Sequence, residues 1–194
     1  MPLQNLNNYK ILLASASPRR RELLSQIYPD FEIAPSIEVD EVYPSSMPAV
    51  DVAPHLSQLK ANAYKSLITD NQLIITADTV VINNNVVLGK PTSKSDAIEM
   101  LKILSGKSHN VITGVTITTA SRQTTFSVNT EVEFSTLELK EISWYVDKYM
   151  PLDKAGAYGI QEWIGCIGVK KINGSFYNVM GLPLHKLYNE LKTF

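Results

Sequence analysis

Apolar and polar positions in this chain switch repeatedly between short runs and a period near 3.6 residues. Ile11–Ala14 is a compact apolar run and predicts a first strand. Pro18–Ile27 reads as a helix, with Ser17 as N-cap and Pro18 as first helical residue. Phe31–Ala34 is a short strand candidate. Residues 36–50 read as a loop, broken by Pro44, Ser45, Ser46 and Pro48, and carry the acidic group Glu38, Asp40 and Glu41. From Asp51 to about Leu67, positions Ala53, Leu56, Lys60, Ala63 and Leu67 recur at helical spacing, with Asp51 as N-cap and Pro54 in the first turn.

Leu73–Thr76 and Val80–Ile82 read as strand segments interrupted by Ala77-Asp78-Thr79. Asn83-Asn84-Asn85 predicts a tight hairpin into Val86–Leu88. Ser95–Leu104 is an amphipathic helix closed by Ser105-Gly106. Val111–Thr119 and Thr124–Phe134 alternate as a long hairpin, and Leu137–Tyr149 is a helix stopped by Pro151. Gly165–Ile172 and Ser175–Val179 predict a final hairpin about Asn173-Gly174, and Pro183–Leu191 a closing helix. Alternation of strands and helices makes this an α/β chain, and the hairpins make its sheet mixed. The expected architecture is a single domain over residues 1–194, a mixed, twisted central sheet flanked by helices, with an active-site cleft.

Composition narrows the function classes. The 194 residues suffice for one core, and 44% hydrophobic with 19% charged content is ordinary for a soluble protein. Eighteen basic residues against 19 acidic give a net charge of −1, with no basic excess for nucleic acid. No apolar run has membrane-spanning length and Met1–Lys10 lacks a signal-peptide core, so no membrane partner and a cytoplasmic location are expected. The single cysteine, Cys166, sits in an apolar stretch and reads as a core residue.

Against this neutral background Arg19 and Arg20 stand out. They fall in the first turn of a helix, where the dipole is positive and a cation is unfavourable. An anion beside them would reverse that penalty, and free N–H groups with two guanidinium forks suit a phosphate. The alternative is a pair of solvated surface arginines. Asp78 lies in an almost wholly apolar setting, where a carboxylate is costly unless it binds a metal, acts on a substrate, caps a turn or pairs with a lysine. Lys60, Lys90 and Lys154 are by default solvated groups; Lys154 opens Asp153-Lys154-Ala155-Gly156-Ala157-Tyr158-Gly159-Ile160-Gln161, whose small residues permit close approach to a ligand. Glu41 is a solvated acid, or a Mg²⁺ ligand if its loop folds over Asp78. His55, His109 and His185 lack metal-ligand spacing, and His109 reads as a structural hydrogen-bonder. No Walker-A loop or Rossmann glycine fingerprint occurs. These parts fit Mg²⁺-assisted chemistry at a phosphate without choosing the reaction.

Taken in order, the motifs Leu13-Ala14-Ser15-Ala16-Ser17-Pro18-Arg19-Arg20, Lys60-Ala61, Ala77-Asp78-Thr79-Val80-Val81, Leu88-Gly89-Lys90-Pro91, Leu104-Ser105-Gly106-Lys107-Ser108-His109, Thr113-Gly114-Val115, the Asp153–Gln161 segment and Asn173-Gly174-Ser175 resemble the Maf family of nucleoside triphosphate pyrophosphatases. The resemblance spans nearly the whole chain. It implies hydrolysis of a nucleoside triphosphate to the monophosphate and pyrophosphate, with Asp78 as general base. It implies a divalent metal, Mg²⁺ with Mn²⁺ as the alternative, at Glu41 and Asp78. Ser15, Arg19, Arg20, Lys60, Lys90 and Lys154 would hold substrate, and Arg19, Thr79 and Gln161 fall at positions associated with specificity. The Ala157–Gln161 form resembles the dTTP/UTP branch, not the 7-methyl-GTP branch. Glu162-Trp163 departs from the small Gly-containing stretch of many relatives, and its indole either reshapes the base pocket or packs outside it. The resemblance also implies a homodimer. Two alternatives remain at this point: a purine-preferring pyrophosphatase, and a nucleotide-sensing regulator of cell division.

Overall fold

The computed structural model describes residues 2–194. Its elements are β1 (Lys10–Ala14), α1 (Pro18–Ile27), β2 (Phe31–Ile33), α2 (Ala49–Ala63), β3 (Gln72–Asn83), β4 (Val86–Leu88) and α3 (Lys94–Leu104). They continue with β5 (Ser108–Thr118), β6 (Gln123–Phe134), α4 (Leu139–Tyr149), α5 (Trp163–Gly168), β7 (Val169–Asn173), α6 (Phe176–Met180) and α7 (Leu184–Thr193). The strands form one seven-stranded sheet in the order β2-β1-β3-β5-β6-β7, with β4 on β3. β1 runs parallel to β2 and β3, whereas β4 and β7 are antiparallel to their partners. The sheet is therefore mixed, and the fold is α/β as expected.

The chain divides into two compact units, and β3, β5 and β6 each contribute to both. The first contains the chain up to Asp78, Thr113–Val128 and Gly181–Phe194. Parallel strands need long crossovers, and α1 and α2 supply them between β1, β2 and β3. Leu12, Ala34, Tyr64 and Ile74 are buried together here, and the Tyr64 hydroxyl donates to the Pro35 carbonyl at 2.7 Å. Helix α2 lies close on its neighbours. The Thr76 hydroxyl donates to the Ser57 carbonyl at 2.7 Å, and a Cβ on Gly114 would fall 2.4 Å from the Ala53 backbone. Only glycine at 114 admits that approach, which holds Lys60 of α2 over Asp78 of β3.

The second unit contains Thr79–Ile112 and Asn129–Met180. Its core includes Leu101, Leu104, Val111, Phe134, Tyr145 and Ile164. Helix α4 has an apolar stripe of Ile142, Tyr145, Val146 and Tyr149, the i, i+3, i+4, i+7 pattern of a helix packed on one face. Asn84 and Asn85 take positive φ of 47° and 65° in the turn between β3 and β4, as the hairpin signal predicts.

Several expectations are corrected. β3 runs unbroken from Gln72 to Asn83, so Asp78 sits within a strand and not in an interruption. α2 starts at Ala49 after Pro48, with Asp51 inside the first turn and not at the cap; it ends at Ala63. The final hairpin is absent: 163–168 and 176–180 are short helices flanking β7. The first helix packs tightly on the chain before it: a Cβ on Gly165 would lie 1.9 Å from the Ile160 carbonyl oxygen, so this turn admits only glycine there. Cys166 is exposed, not a core residue, because it lies on the outer side of α5 while Ile164 and Gly168 face inward.

Candidate active site

The helix start behaves as the sequence implies. Ser17 is extended, and its hydroxyl accepts from the Arg20 N–H at 3.5 Å; the Ser15 hydroxyl accepts from the Ser17 N–H at 3.2 Å. Ser15, Arg19 and Arg20 are half-buried and Arg21 is exposed, so the first two arginines are set apart from an ordinary solvated run. Arg20 Nε donates to the Gly181 carbonyl at 2.8 Å, which fixes the guanidinium. Burial lowers the affinity of Arg20 for its proton, and the fields of Asp78 and Glu41 oppose that shift. Arg20, Asp78 and Glu41 thus share one electrostatic neighbourhood within the first unit.

Lys60 joins them. Its ammonium is 2.5 Å from Asp78 Oδ1 and 3.0 Å from Glu41 Oε1. The Lys60 and Asp78 side chains are only 19% and 14% exposed, whereas Glu41 is 44% exposed. Asp78 is therefore not an unpaired carboxylate in an apolar setting, and Lys60 is not a solvated lysine. Along β3, Asp78 and Thr79 are half-open while Leu73–Ala77 and Val80–Asn83 are buried, which confines access to the site position. Arg19, Arg20 and Lys60 set three positive charges against the two of Glu41 and Asp78, a surplus suited to a polyanion.

The two carboxylates converge on one cation, the ammonium. Two hard oxygen donors at one point are what Mg²⁺ takes from a protein when phosphate oxygens supply further ligands, so the donor set fits that ion. No group of three or more His, Cys, Asp or Glu able to hold a metal occurs among the described residues.

The remaining candidates belong to the second unit. Lys90 is exposed after Gly89. Thr79 follows Asp78 directly. The Asp153–Gln161 segment buries Gly156–Ile160 and then exposes Gln161. Two of its residues take left-handed backbone, Gly156 at φ 67° and Ala157 at φ 61°. A Cβ on Gly156 would meet Val81 at 2.8 Å, so glycine is required there. Lys154 is the main departure. Its side chain is 9% exposed, and its ammonium lies 2.8 Å from Asp153 and 3.1 Å from Glu162. It is not solvated: like Lys60, its ammonium is engaged by two carboxylates, here within its own segment. Trp163 packs against Trp144 with ring centroids 4.6 Å apart, so the indole is held on the α4 side of its own unit.

Tyr158 in the same segment pairs with His109, Nε2 to hydroxyl at 2.8 Å, within an edge-to-face cluster that includes Phe134. His109 is thus a structural hydrogen-bonder. Its Nδ1 is buried without a partner, and burial pushes the ring's pKa down to about 4. Between pH 6.5 and 4 the unfolded chain binds this proton and the folded chain does not. Stability from this group is complete above pH 6.5 and is lost as pH falls toward 4, by about 2 kcal/mol at pH 5. Urea midpoints at pH 7 and pH 5 should differ less in His109→Phe than in wild type; equal differences would contradict the neutral, buried ring.

The family described as Maf-like protein matches residues 10–194. The chain belongs to the Maf family. It is 53% identical over 190 residues to a dTTP/UTP pyrophosphatase of Bacteroides thetaiotaomicron, covering 98% of each chain. It is 53% identical over 192 residues to a dTTP/UTP pyrophosphatase of Parabacteroides distasonis, covering 99% of this chain and 100% of the relative. Among solved structures, a HAM1 protein from Coxiella burnetii is similar at 14% identity and a TM-score of 0.49, over 96% of this chain and 100% of that one.

In this Maf-family chain the structure brings Arg20, Glu41, Lys60 and Asp78 together, with Ser15 and Arg19 at the same helix start. Sequence reasoning missed the partners that hold Gln161's segment. Tyr145 is one: its hydroxyl accepts from the Gly159 N–H at 3.0 Å and donates to Glu162. Burial, and then the Glu162 carboxylate, hold that phenol protonated, which is why it donates. The available signal was an acid and a lysine flanking a small-residue loop, Lys154 and Glu162.

Proposed function

We propose that this protein is a nucleoside triphosphate pyrophosphatase acting on dTTP and UTP. The observation that carries the reading is the convergence of Asp78 and Glu41 on Lys60 beside Arg20. The names of the Bacteroides and Parabacteroides relatives support the pyrimidine choice. Asp78 removes a proton from a water whose oxygen attacks the α-phosphorus. The bond from the α-phosphorus to the bridging oxygen breaks, and pyrophosphate leaves with the bond's electron pair. Arg19, Arg20 and Lys60 bind the phosphate oxygens, with Ser15 at the helix start and Lys90 as a further cation. Lys60 keeps Asp78 oriented before the water arrives. A divalent cation, Mg²⁺ or Mn²⁺, held by Glu41 and Asp78 with phosphate oxygens, would neutralise charge developing on the phosphate.

Gln161 offers an amide donor and acceptor to the imide edge shared by uracil and thymine, with Arg19 and Thr79 as further specificity positions. Lys154, paired with Asp153 and Glu162, is read as a structural cation of the segment that carries Gln161. Free nucleoside triphosphates set the location of such an enzyme in the cytoplasm. Purified protein with Mg²⁺ and a panel of dTTP, UTP, CTP, GTP and 7-methyl-GTP should release pyrophosphate, most rapidly from dTTP and UTP. Absence of pyrophosphate from every nucleotide would overturn the activity, and preference for 7-methyl-GTP would overturn the pyrimidine choice.

A further inference from the structure

Glu162 follows the proposed base-reading residue directly, yet its carboxylate is turned away from solvent. The side chain is 18% exposed. One oxygen accepts from the Tyr145 hydroxyl, and the other lies 3.1 Å from the Lys154 ammonium. The same Tyr145 hydroxyl accepts from the Gly159 N–H at 3.0 Å, and the Glu162 N–H donates to the Gly159 carbonyl at 3.0 Å. A Cβ on Gly159 would lie 2.6 Å from the Glu162 carboxyl carbon, so glycine there makes room for the acid. Lys154 and Glu162 bracket the segment at its two ends, and their ion pair closes it into a ring that also includes Tyr145. Gln161 is the exposed residue inside that ring.

We propose that Glu162 is a positioning residue for nucleotide choice: through Lys154, Tyr145 and Gly159 it fixes the backbone that presents Gln161. The inference rests on the reading of Gln161 as the base-recognising residue. A base amide discriminates only when its donor and acceptor are held at fixed positions, because a rotating amide satisfies other bases as well. A largely buried ion pair is suited to that task. It adds little net stability over an apolar pair, but removing one partner leaves the other uncompensated. Lys154 therefore serves this segment as a structural cation.

The protein carries its own reporter. Its two tryptophans, Trp144 and Trp163, pack on each other with their rings tilted by 60°, and Trp163 is the neighbour of Glu162. Tryptophan fluorescence and the tryptophan bands of the near-ultraviolet circular dichroism, beyond the tyrosine range, therefore report this one place.

The test uses the full-length protein with Mg²⁺, comparing wild type, Glu162→Gln and Tyr145→Phe. Glu162→Gln keeps size and an acceptor for Tyr145 but loses the charge opposite Lys154. The expected result is a fall of about tenfold in the ratio of kcat/KM for dTTP to that for CTP, through KM for dTTP, with kcat little changed. The tryptophan dichroism should change in both variants, and Glu162→Asp should recover part of each effect. A variant that loses thermal stability while keeping the wild-type nucleotide ratio would overturn the proposal, since that is what a merely structural acid does. Unchanged dichroism in both variants would overturn it as well. A wild type without preference for dTTP would instead overturn the reading of Gln161, and the dichroism would still decide whether Glu162 holds the segment.

Discussion

Asp78→Asn should lower kcat by about a thousandfold while leaving nucleotide binding within a few-fold of wild type. The substitution is isosteric and keeps an oxygen acceptor toward the Lys60 ammonium, which retains Glu41 at 3.0 Å. The fold around the site therefore survives, and a Tm within a few degrees of wild type is expected. An amide is not basic, so the attacking water keeps its proton. Equilibrium dialysis with dTTP separates binding from turnover. Wild-type-like turnover would remove Asp78 from the role of base, and loss of binding in step with turnover would make it a ligand and not a base.

Lys60→Met has the second large effect, and it reads the metal question. The variant keeps the length of the side chain and removes the ammonium that both carboxylates touch. Glu41 and Asp78 then lose the cation they share and keep only the field of Arg20. In a site this enclosed that costs about 3 kcal/mol, nearer the lower end of the range for broken buried pairs because Glu41 is partly solvated. Turnover should fall about a hundredfold, as one phosphate cation is lost and Asp78 is less well held. The two freed oxygens should bind a divalent cation more readily than in wild type, where they are occupied by the lysine. Added Mg²⁺ should therefore raise the Tm of Lys60→Met by several degrees more than that of wild type. Equal Mg²⁺ responses would contradict metal binding by this carboxylate pair.

The parts of the structure legible in the sequence are those decided by neighbours a few residues away. Ser17 and Pro18 mark the start of α1 because cap and first-turn geometry are local. Asn84 and Asn85 mark their turn because asparagine tolerates positive φ. The stripe on α4 has the period of a helix, and the helix follows. The segment from Gly165 to Val179 was not legible in this way. Its apolar, β-branched composition reads as strand, but Ile164 is buried against Leu101, Phe134 and Tyr145 from distant segments, and no local pattern records that packing.

The site divides along the same line. Arg19, Arg20 and Asp78 are conspicuous because each is out of place where it stands, a cation at a helix start or an acid among apolar residues. Their pairing is not conspicuous: Lys60 meets Asp78 across 18 residues of sequence, through the packing of α2 on β3. Lys154 misleads for the converse reason. A lysine in a small-residue loop looks available to a ligand, and only the folded segment shows Asp153 and Glu162 already on it.

Water attack at the α-phosphorus fixes which product receives the water oxygen, so an isotope label locates the bond that breaks. A single turnover of dTTP by the wild-type protein in ¹⁸O-labelled water, followed by mass spectrometry of both products, should place one ¹⁸O in the nucleoside monophosphate and none in pyrophosphate. Label in pyrophosphate would put the attack at the β-phosphorus, label in released orthophosphate would put it at the γ-phosphorus, and either would contradict the account.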